Sequence, residues 1–234
     1  MIYPVDWRVY PTLKNVLNER GELDQEFLLS IRNIVPPDLT WIVQEKINGS
    51  RLSFYYSANS GDFRFCIAPR NYTVGQDSIA IIDDLIIDQQ IKANLARLFD
   101  NYNARDYVVI HGSLIGGSYP HESVEKNLFA VPLSEKNFYS ADNHFYAFDV
   151  EIDGRYLTPE QAVGDFSRLK MLHAPMRLIA HLDDCLAHPN TFETDIPKSF
   201  GLPPIEGNHC SGIVLRPAEN YFDEQDQKII LKKQ

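Results

Sequence analysis

Lys46 opens the stretch Lys46-Ile47-Asn48-Gly49-Ser50-Arg51, which spaces an amine, a glycine and a guanidinium at short fixed intervals. An amine attacks an electrophilic phosphorus only when it is neutral. A free lysine has a pKa of ~10.4, and removing its proton near pH 7 costs on the order of 4–5 kcal/mol unless desolvation or neighbouring cations help. A rigid mounting supplies the other requirement. Trp41-Ile42-Val43 before the lysine and Leu52-Ser53-Phe54-Tyr55-Tyr56 after it read as strands, with a tight turn at Asn48-Gly49 between them. A glycine there lets a phosphate come close to the backbone, and Arg51 is placed to contact ribose or phosphate. The same residues also describe a surface lysine in front of an Asn-Gly hairpin. The segment alone does not choose between the two.

Other chemistry-bearing patterns are weaker. Gly112 to Gly117 is glycine-rich but lacks the Gly-Lys-Ser/Thr that follows a phosphate-binding loop of that kind. The seven histidines show no metal-ligand spacing, and His111 reads as a core residue of a buried strand. Cys210 beside His209 is a poor candidate for a thiol nucleophile. The three cysteines, Cys66, Cys185 and Cys210, are scattered and form no paired motif, so buried free thiols in a reducing, cytoplasmic compartment are expected. No apolar run is long enough to cross a bilayer, and the first residues lack the features of a signal peptide, so a soluble protein without a membrane partner is expected. A net charge of −10 argues against a broad nonspecific phosphate-binding surface, though not against a local basic groove.

The elements that must position Lys46 follow from periodicity. Leu13, Val16 and Leu17, then Phe27, Leu28, Ile31 and Ile34, predict two short helices within residues 12–34. Phe63 to Ala68 predicts a strand. The segment Ile79 to Phe99 predicts a helix, continuous from about Ile86. Tyr107 to His111 predicts a buried strand that stops at the turn beginning with Gly112. His144 to Ile152 predicts a long strand, with Asp153-Gly154 as a hairpin turn into Arg155-Tyr156-Leu157. Thr158-Pro159-Glu160-Gln161 carries the marks of a helix start. Gly212 to Pro217 and Lys228 to Lys232 predict paired strands. Strands and helices do not alternate regularly, which points to α+β with antiparallel sheets, and no linker divides residues 1–234 into more than a single domain.

Taken in order, these segments resemble one family. The stretch from Lys46 to Arg51 fits the K-x-x-G-x-R pattern of covalent nucleotidyltransferases. Tyr10-Pro11-Thr12-Leu13-Lys14-Asn15 resembles that family's N-terminal segment, and Ala68-Pro69-Arg70 its next arginine. Val109 to His121 resembles the third motif, Phe145 to Val150 the aromatic-aspartate strand after it, Leu202 to Asn208 with Ser211 to Pro217 the fourth, and Ile229 to Lys232 the start of the fifth. The family is the RNA ligase 2 type, within the superfamily of DNA ligases and mRNA-capping enzymes. The resemblance implies an α+β ligase adenylation fold without a separate C-terminal domain in this chain. It implies ATP as the nucleotide and Mg²⁺ or Mn²⁺ as the metal. RNA ends would be the substrate, joined 3′-OH to 5′-phosphate, and a protein partner could supply RNA binding.

By the same resemblance, Lys46 would carry AMP. Arg51 and Arg70 would bind sugar and phosphate, Phe148 would stack on adenine, and Asp149 would orient the site or hold metal. Lys232 would touch the α-phosphate and stabilise developing charge. Glu45, Asn48, Gly49, Ser113 and Ser211 complete the expected nucleotide site.

Two positions depart from the pattern. The third motif reads Gly112-Ser113-Leu114 where the family has Gly-Glu-Leu. The fourth reads Ser211-Gly212-Ile213-Val214 where it has a glutamate first. The fifth has Gln234 in place of its second lysine, unless Lys233 takes that part. A neutral hydroxyl does not replace the charge of a carboxylate, and Mg²⁺ favours carboxylate oxygen. Losing one preorganised electrostatic group typically costs ~10²–10³ in rate. Glu206 and Asp149 are the candidate stand-ins, and Ser113→Glu with Ser211→Glu is expected to raise transfer. The sequence thus leaves open an active ligase, a descendant that only binds nucleotide, RNA or a protein, and an AMP- or GMP-transferring enzyme with another acceptor.

Overall fold

A computed structural model describes residues 10–67 and 76–234. Its strands form two five-stranded sheets. The first contains β1 (Lys14–Asn15), β2 (Trp41–Glu45), β8 (Met176–Ala180), β9 (Ile213–Pro217) and β10 (Leu231–Lys233), in the order β1-β10-β9-β2-β8. The second contains β3 (Ser50–Ser57), β4 (Asp62–Ile67), β5 (Val108–Gly116), β6 (Asn143–Ile152) and β7 (Arg155–Tyr156), in the order β4-β3-β5-β6-β7. Every pairing is antiparallel except that of β1 with β10. The helices are α1 (Gln25–Arg32), α2 (Gln76–Asp88), α3 (Ile91–Asn101), α4 (Pro159–Arg168), α5 (Leu182–Ala187) and α6 (Ile196–Ser199).

Each sheet has its own apolar core. Leu28 and Ile31 of α1 and Cys185 and Leu186 of α5 cover Trp41, Val43 and Leu215 of the first sheet. Helices α2, α3 and α4 bury Ile82, Leu95, Leu98 and Phe166 against Phe54, Ile110 and Phe145 of the second. A smaller cluster of Ile115, Tyr139, Tyr146, Ala174 and Ile196 holds Ile47 against it.

The α+β class with antiparallel sheets is what the sequence predicts, and several elements fall where periodicity places them. Thr158 accepts from the Gln161 backbone while the Gln161 side chain accepts from Thr158, a complete capping box in front of α4. Asp153 and Gly154, both at positive φ, turn β6 into β7.

Four expectations fail, each for a local reason. Lys14–Asn15 is a strand and not helix, because the backbone of this segment is drawn onto β10: Lys14 N donates to Ile230 O and Val16 N to Lys232 O. The expected continuous helix is broken at Gln89-Gln90, where Gln90 takes a left-handed φ of 51°. The strand ending at His111 instead runs on through Gly116. Gly112 serves as a bulge whose missing Cβ makes room for the Phe145 ring, and the turn waits for Gly116 and Gly117 at φ 86° and 84°. Finally, β2 and β3 do not form a hairpin. They belong to different sheets, so residues 46–49 are a crossing between the two.

Candidate active site

That crossing is the floor of a cleft. Its lining includes Lys46, Gly49, Arg51, Ser113, Phe148 and Lys232, drawn from both sheets. Lys46 begins where β2 ends, and its backbone N–H donates to Gly212 O at 3.0 Å. Gly49 packs so tightly on β5 that a Cβ would lie 2.3 Å from Leu114 O, so no other residue allows this crossing. Arg51 is opposite Ser113 in the β3–β5 register and donates to the carbonyls of Tyr10 (3.0 Å) and Pro11 (3.4 Å). Phe148, half-buried, meets the Tyr10 ring edge-on at 4.9 Å. Lys232 enters from β10, while Lys233 on the opposite strand face donates to Leu186 O and His188 O. Lys233 therefore does not take the part of the second fifth-motif lysine.

Glu45 also borders the cleft, but its carboxylate accepts from Thr194 at 2.6 Å and lies 4.0 Å from Arg177. Burial raises its pKa against those two partners. Arg70 lies outside the described residues. Asn48 and Ser211 are absent from the cleft lining and meet behind it: Asn48 Nδ2 and Ser211 Oγ both donate to Asn137 Oδ1 at 2.7 Å.

Asp149 requires a correction. It is fully buried, and its Oδ2 gathers the Tyr10 hydroxyl (2.9 Å), the Lys228 ammonium (2.7 Å) and the Arg216 guanidinium (2.7 Å). Burial alone would raise its pKa; Arg216 and Lys228 outweigh that and hold it near 2. Lys228 in turn is pushed down to about 8, chiefly by burial, against the pull of Asp149. Oδ2 is taken up by two cations and Tyr10 while Oδ1 accepts from the Val150 backbone N–H at 3.1 Å, so the buried carboxylate is committed to protein partners and not presented to a metal. Its oxygens fix Tyr10 and Arg216, both of which border the cleft, and Arg216 also donates to Phe148 O at 2.6 Å. His111 continues the network as a buried residue, with Ser53 at 2.9 Å and Glu151 at 3.7 Å.

The other proposed stand-in, Glu206, is exposed and does not line the cleft. Among the described residues no group of three or more His, Cys, Asp or Glu side chains is arranged to hold a metal ion. Ser113 and Ser211 offer only hydroxyls. The described residues therefore offer no cluster that would hold a divalent cation on protein ligands alone. A nucleotide fits them better. The cleft offers an aromatic face at Phe148 and cations at Lys46, Arg51 and Lys232, with the buried Arg216 at its border.

Sequence reasoning missed Tyr10, Arg216, Lys228 and Asn137 as site residues. Tyr10 and Arg216 stood inside quoted motifs, and their aromatic and guanidinium chemistry was the available signal. Asn137 lies in a polar stretch with no periodicity, and nothing in the sequence marks it.

Two antiparallel-rich sheets meeting at a lysine-bearing crossing define a nucleotidyltransferase fold of the ligase type. A profile of the RNA ligase family matches residues 39–233, and the chain belongs to that family. It is 27% identical over 216 residues to the mitochondrial RNA-editing ligase 2 of Trypanosoma brucei brucei, an alignment covering 75% of this chain and 48% of that protein. Among solved structures it is similar to a Naegleria gruberi RNA ligase. A mutant of that ligase in its apo form superposes with a TM-score of 0.59 at 17% identity, covering 99% of this chain and 56% of that one. Another mutant of the same ligase, determined with ATP and Mn, gives 0.59 at 16% identity over 98% and 56%. This chain spans about half the length of these relatives. No helix among its described residues is long and apolar enough to cross a membrane.

Proposed function

We propose that the cleft binds ATP and that Lys46 takes up its AMP, as the first step toward joining RNA 3′-OH and 5′-phosphate ends. The observation that supports this is the meeting of Lys46, Arg51, Phe148 and Lys232 in one cleft at the crossing between the sheets. The neutral Lys46 amine attacks the α-phosphorus. An N–P bond forms, the bond from phosphorus to the bridging oxygen breaks, pyrophosphate leaves with that electron pair, and the amine proton passes to solvent. Lys232 and Arg51 supply positive charge where negative charge accumulates. Phe148 stacks on the base. RNA ends, and any protein that helps to bind them, belong to the same proposal.

A specific observation favours a second reading, binding without transfer: Ser113 and Ser211 bring no carboxylate to the site. Incubation with ATP or GTP labelled at the α-phosphate, followed by denaturing electrophoresis, separates the two. Covalent label on the wild type that disappears in Lys46→Ala carries the first reading. Thermal stabilisation by ATP with no covalent label carries the second. Neither label nor stabilisation sinks both.

A further inference from the structure

The segment between β5 and β6 reaches the crossing from behind and holds it through side-chain hydrogen bonds. Asn48 Nδ2 donates to Ser134 Oγ at 3.0 Å and to Asn137 Oδ1 at 2.7 Å. The Asn48 backbone N–H donates to the Tyr139 hydroxyl at 3.0 Å. Asn137 is itself buried. Its Nδ2 donates to the carbonyl of His209, and its backbone N–H to Ser134 Oγ at 3.0 Å. Ser211 Oγ donates to the same Asn137 Oδ1 at 2.7 Å. Next to it, Phe138 N donates to Asn208 Oδ1 and Asn208 Nδ2 returns a bond to Phe138 O. One side-chain carbonyl thus bridges the residue two places after Lys46 to the residue standing at the fourth-motif glutamate position.

Donor and acceptor chemistry fixes which way this bridge faces. A peptide carbonyl only accepts, so the His209 oxygen requires the Asn137 NH₂ on its side and the Asn137 oxygen on the other. Turning the amide over would set its NH₂ against that of Asn48 and its oxygen against the carbonyl of His209. The group at position 211 must therefore be a donor. A serine hydroxyl is one; an ionised carboxylate accepts only. Ser211 and Asn137 are a matched pair, and a glutamate at 211 in this chain faces an oxygen that cannot turn away.

We propose that Asn137 is the positioning residue of the nucleophile crossing, and that Ser211 acts as its donor partner where the family's glutamate would stand. The proposal rests on Lys46 being the reacting amine. It also separates the two serines: Ser113 borders the cleft, whereas Ser211 is spent on the scaffold. Restoring a carboxylate at 113 and at 211 should then have opposite consequences.

Two readouts on the same variants test this. The first is the rate of lysyl-AMP formation from ATP. The second is competitive acetylation of Lys46 by acetic anhydride over a pH series, read by peptide mass, which needs no nucleotide. Asn137→Ala should slow labelling about 10- to 100-fold, the loss expected when a reacting group is displaced by on the order of 1 Å. It should also change the pH profile of Lys46 acetylation, with ATP-induced thermal stabilisation retained. Asn137→Asp, which sets an oxygen against the His209 carbonyl just as a turned amide would, should do no better than Asn137→Ala. Ser211→Glu should behave like Asn137→Ala, and Ser113→Glu should not. If the wild type forms no lysyl-AMP but the acetylation profiles still separate in this way, the positioning role stands and the transfer reading fails. If Asn137→Ala and Ser211→Glu leave the Lys46 profile as in the wild type, or Asn137→Asp restores it, the proposal is overturned.

Discussion

Two polar networks flank the cleft, and they are built on opposite principles. On the Phe148 side, Asp149, Arg216 and Lys228 form a fully buried cluster of formal charges tied to Tyr10. Behind the crossing, Asn48, Asn137, Ser134 and Ser211 form a chain of neutral amides and hydroxyls. Both fix the groups that border the same cleft. A buried charge that loses its partner stays charged or titrates, at a cost of several kcal/mol, whereas a neutral donor that loses its partner forfeits one hydrogen bond. The charged network should therefore dominate stability and its pH dependence, and the neutral one should set geometry at lower cost.

The largest effect that tests this contrast is Asp149→Ala. It strands two buried cations and should destabilise by about 3–5 kcal/mol in urea denaturation. A loss under about 1 kcal/mol would show that the cluster relaxes or hydrates freely. Next is the acid limb of the wild type. The Asp149 carboxyl titrates from 3.8 unfolded to about 2 folded, so its contribution is complete above the unfolded value and disappears as pH falls through the folded one. Roughly 2 kcal/mol of stability should drain away between about pH 5 and pH 2 from this group. Denaturation midpoints across that range measure it.

Asn137→Ala should cost about 1–3 kcal/mol, since it leaves buried partners unsatisfied. That loss should be the same at about pH 5 and about pH 8, because the relay consists of amides and hydroxyls that do not titrate there. A pH-dependent loss would mean that the two networks are coupled. The smallest effect is Ser211→Ala, at about 1 kcal/mol for one neutral hydrogen bond. In Lys46 labelling it should fall between wild type and Asn137→Ala.

The same division explains what the sequence could reveal. Lys46, Gly49 and Arg51 are legible because one short run of residues carries a lysine, a turn and a guanidinium at fixed spacing. The capping box at Thr158 and the Asp153-Gly154 turn are equally local. The charged cluster is not local: Tyr10, Asp149, Arg216 and Lys228 come together only when β6 and the strands of the first sheet close on one another. An aspartate beside an aromatic reads as a metal ligand until its two cations are seen. The helix expected near Leu13 failed because the segment's hydrogen bonds go to β10, at the far end of the sequence. The short strand β8 escaped because Met176 to Ala180 is half-buried and shows no alternation.

The placement of β2 has a consequence for synthesis. This all-buried strand, which ends at the residue before the nucleophile, pairs on one side with β8 and on the other with β9. Both neighbours follow it in the chain by more than half the molecule's length. As the polypeptide leaves the ribosome, the Trp41–Glu45 ribbon has neither sheet partner until residues beyond Met176 emerge. The lysine's seat cannot be assembled before then, and until it is, this ribbon waits with both edges open to mispairing.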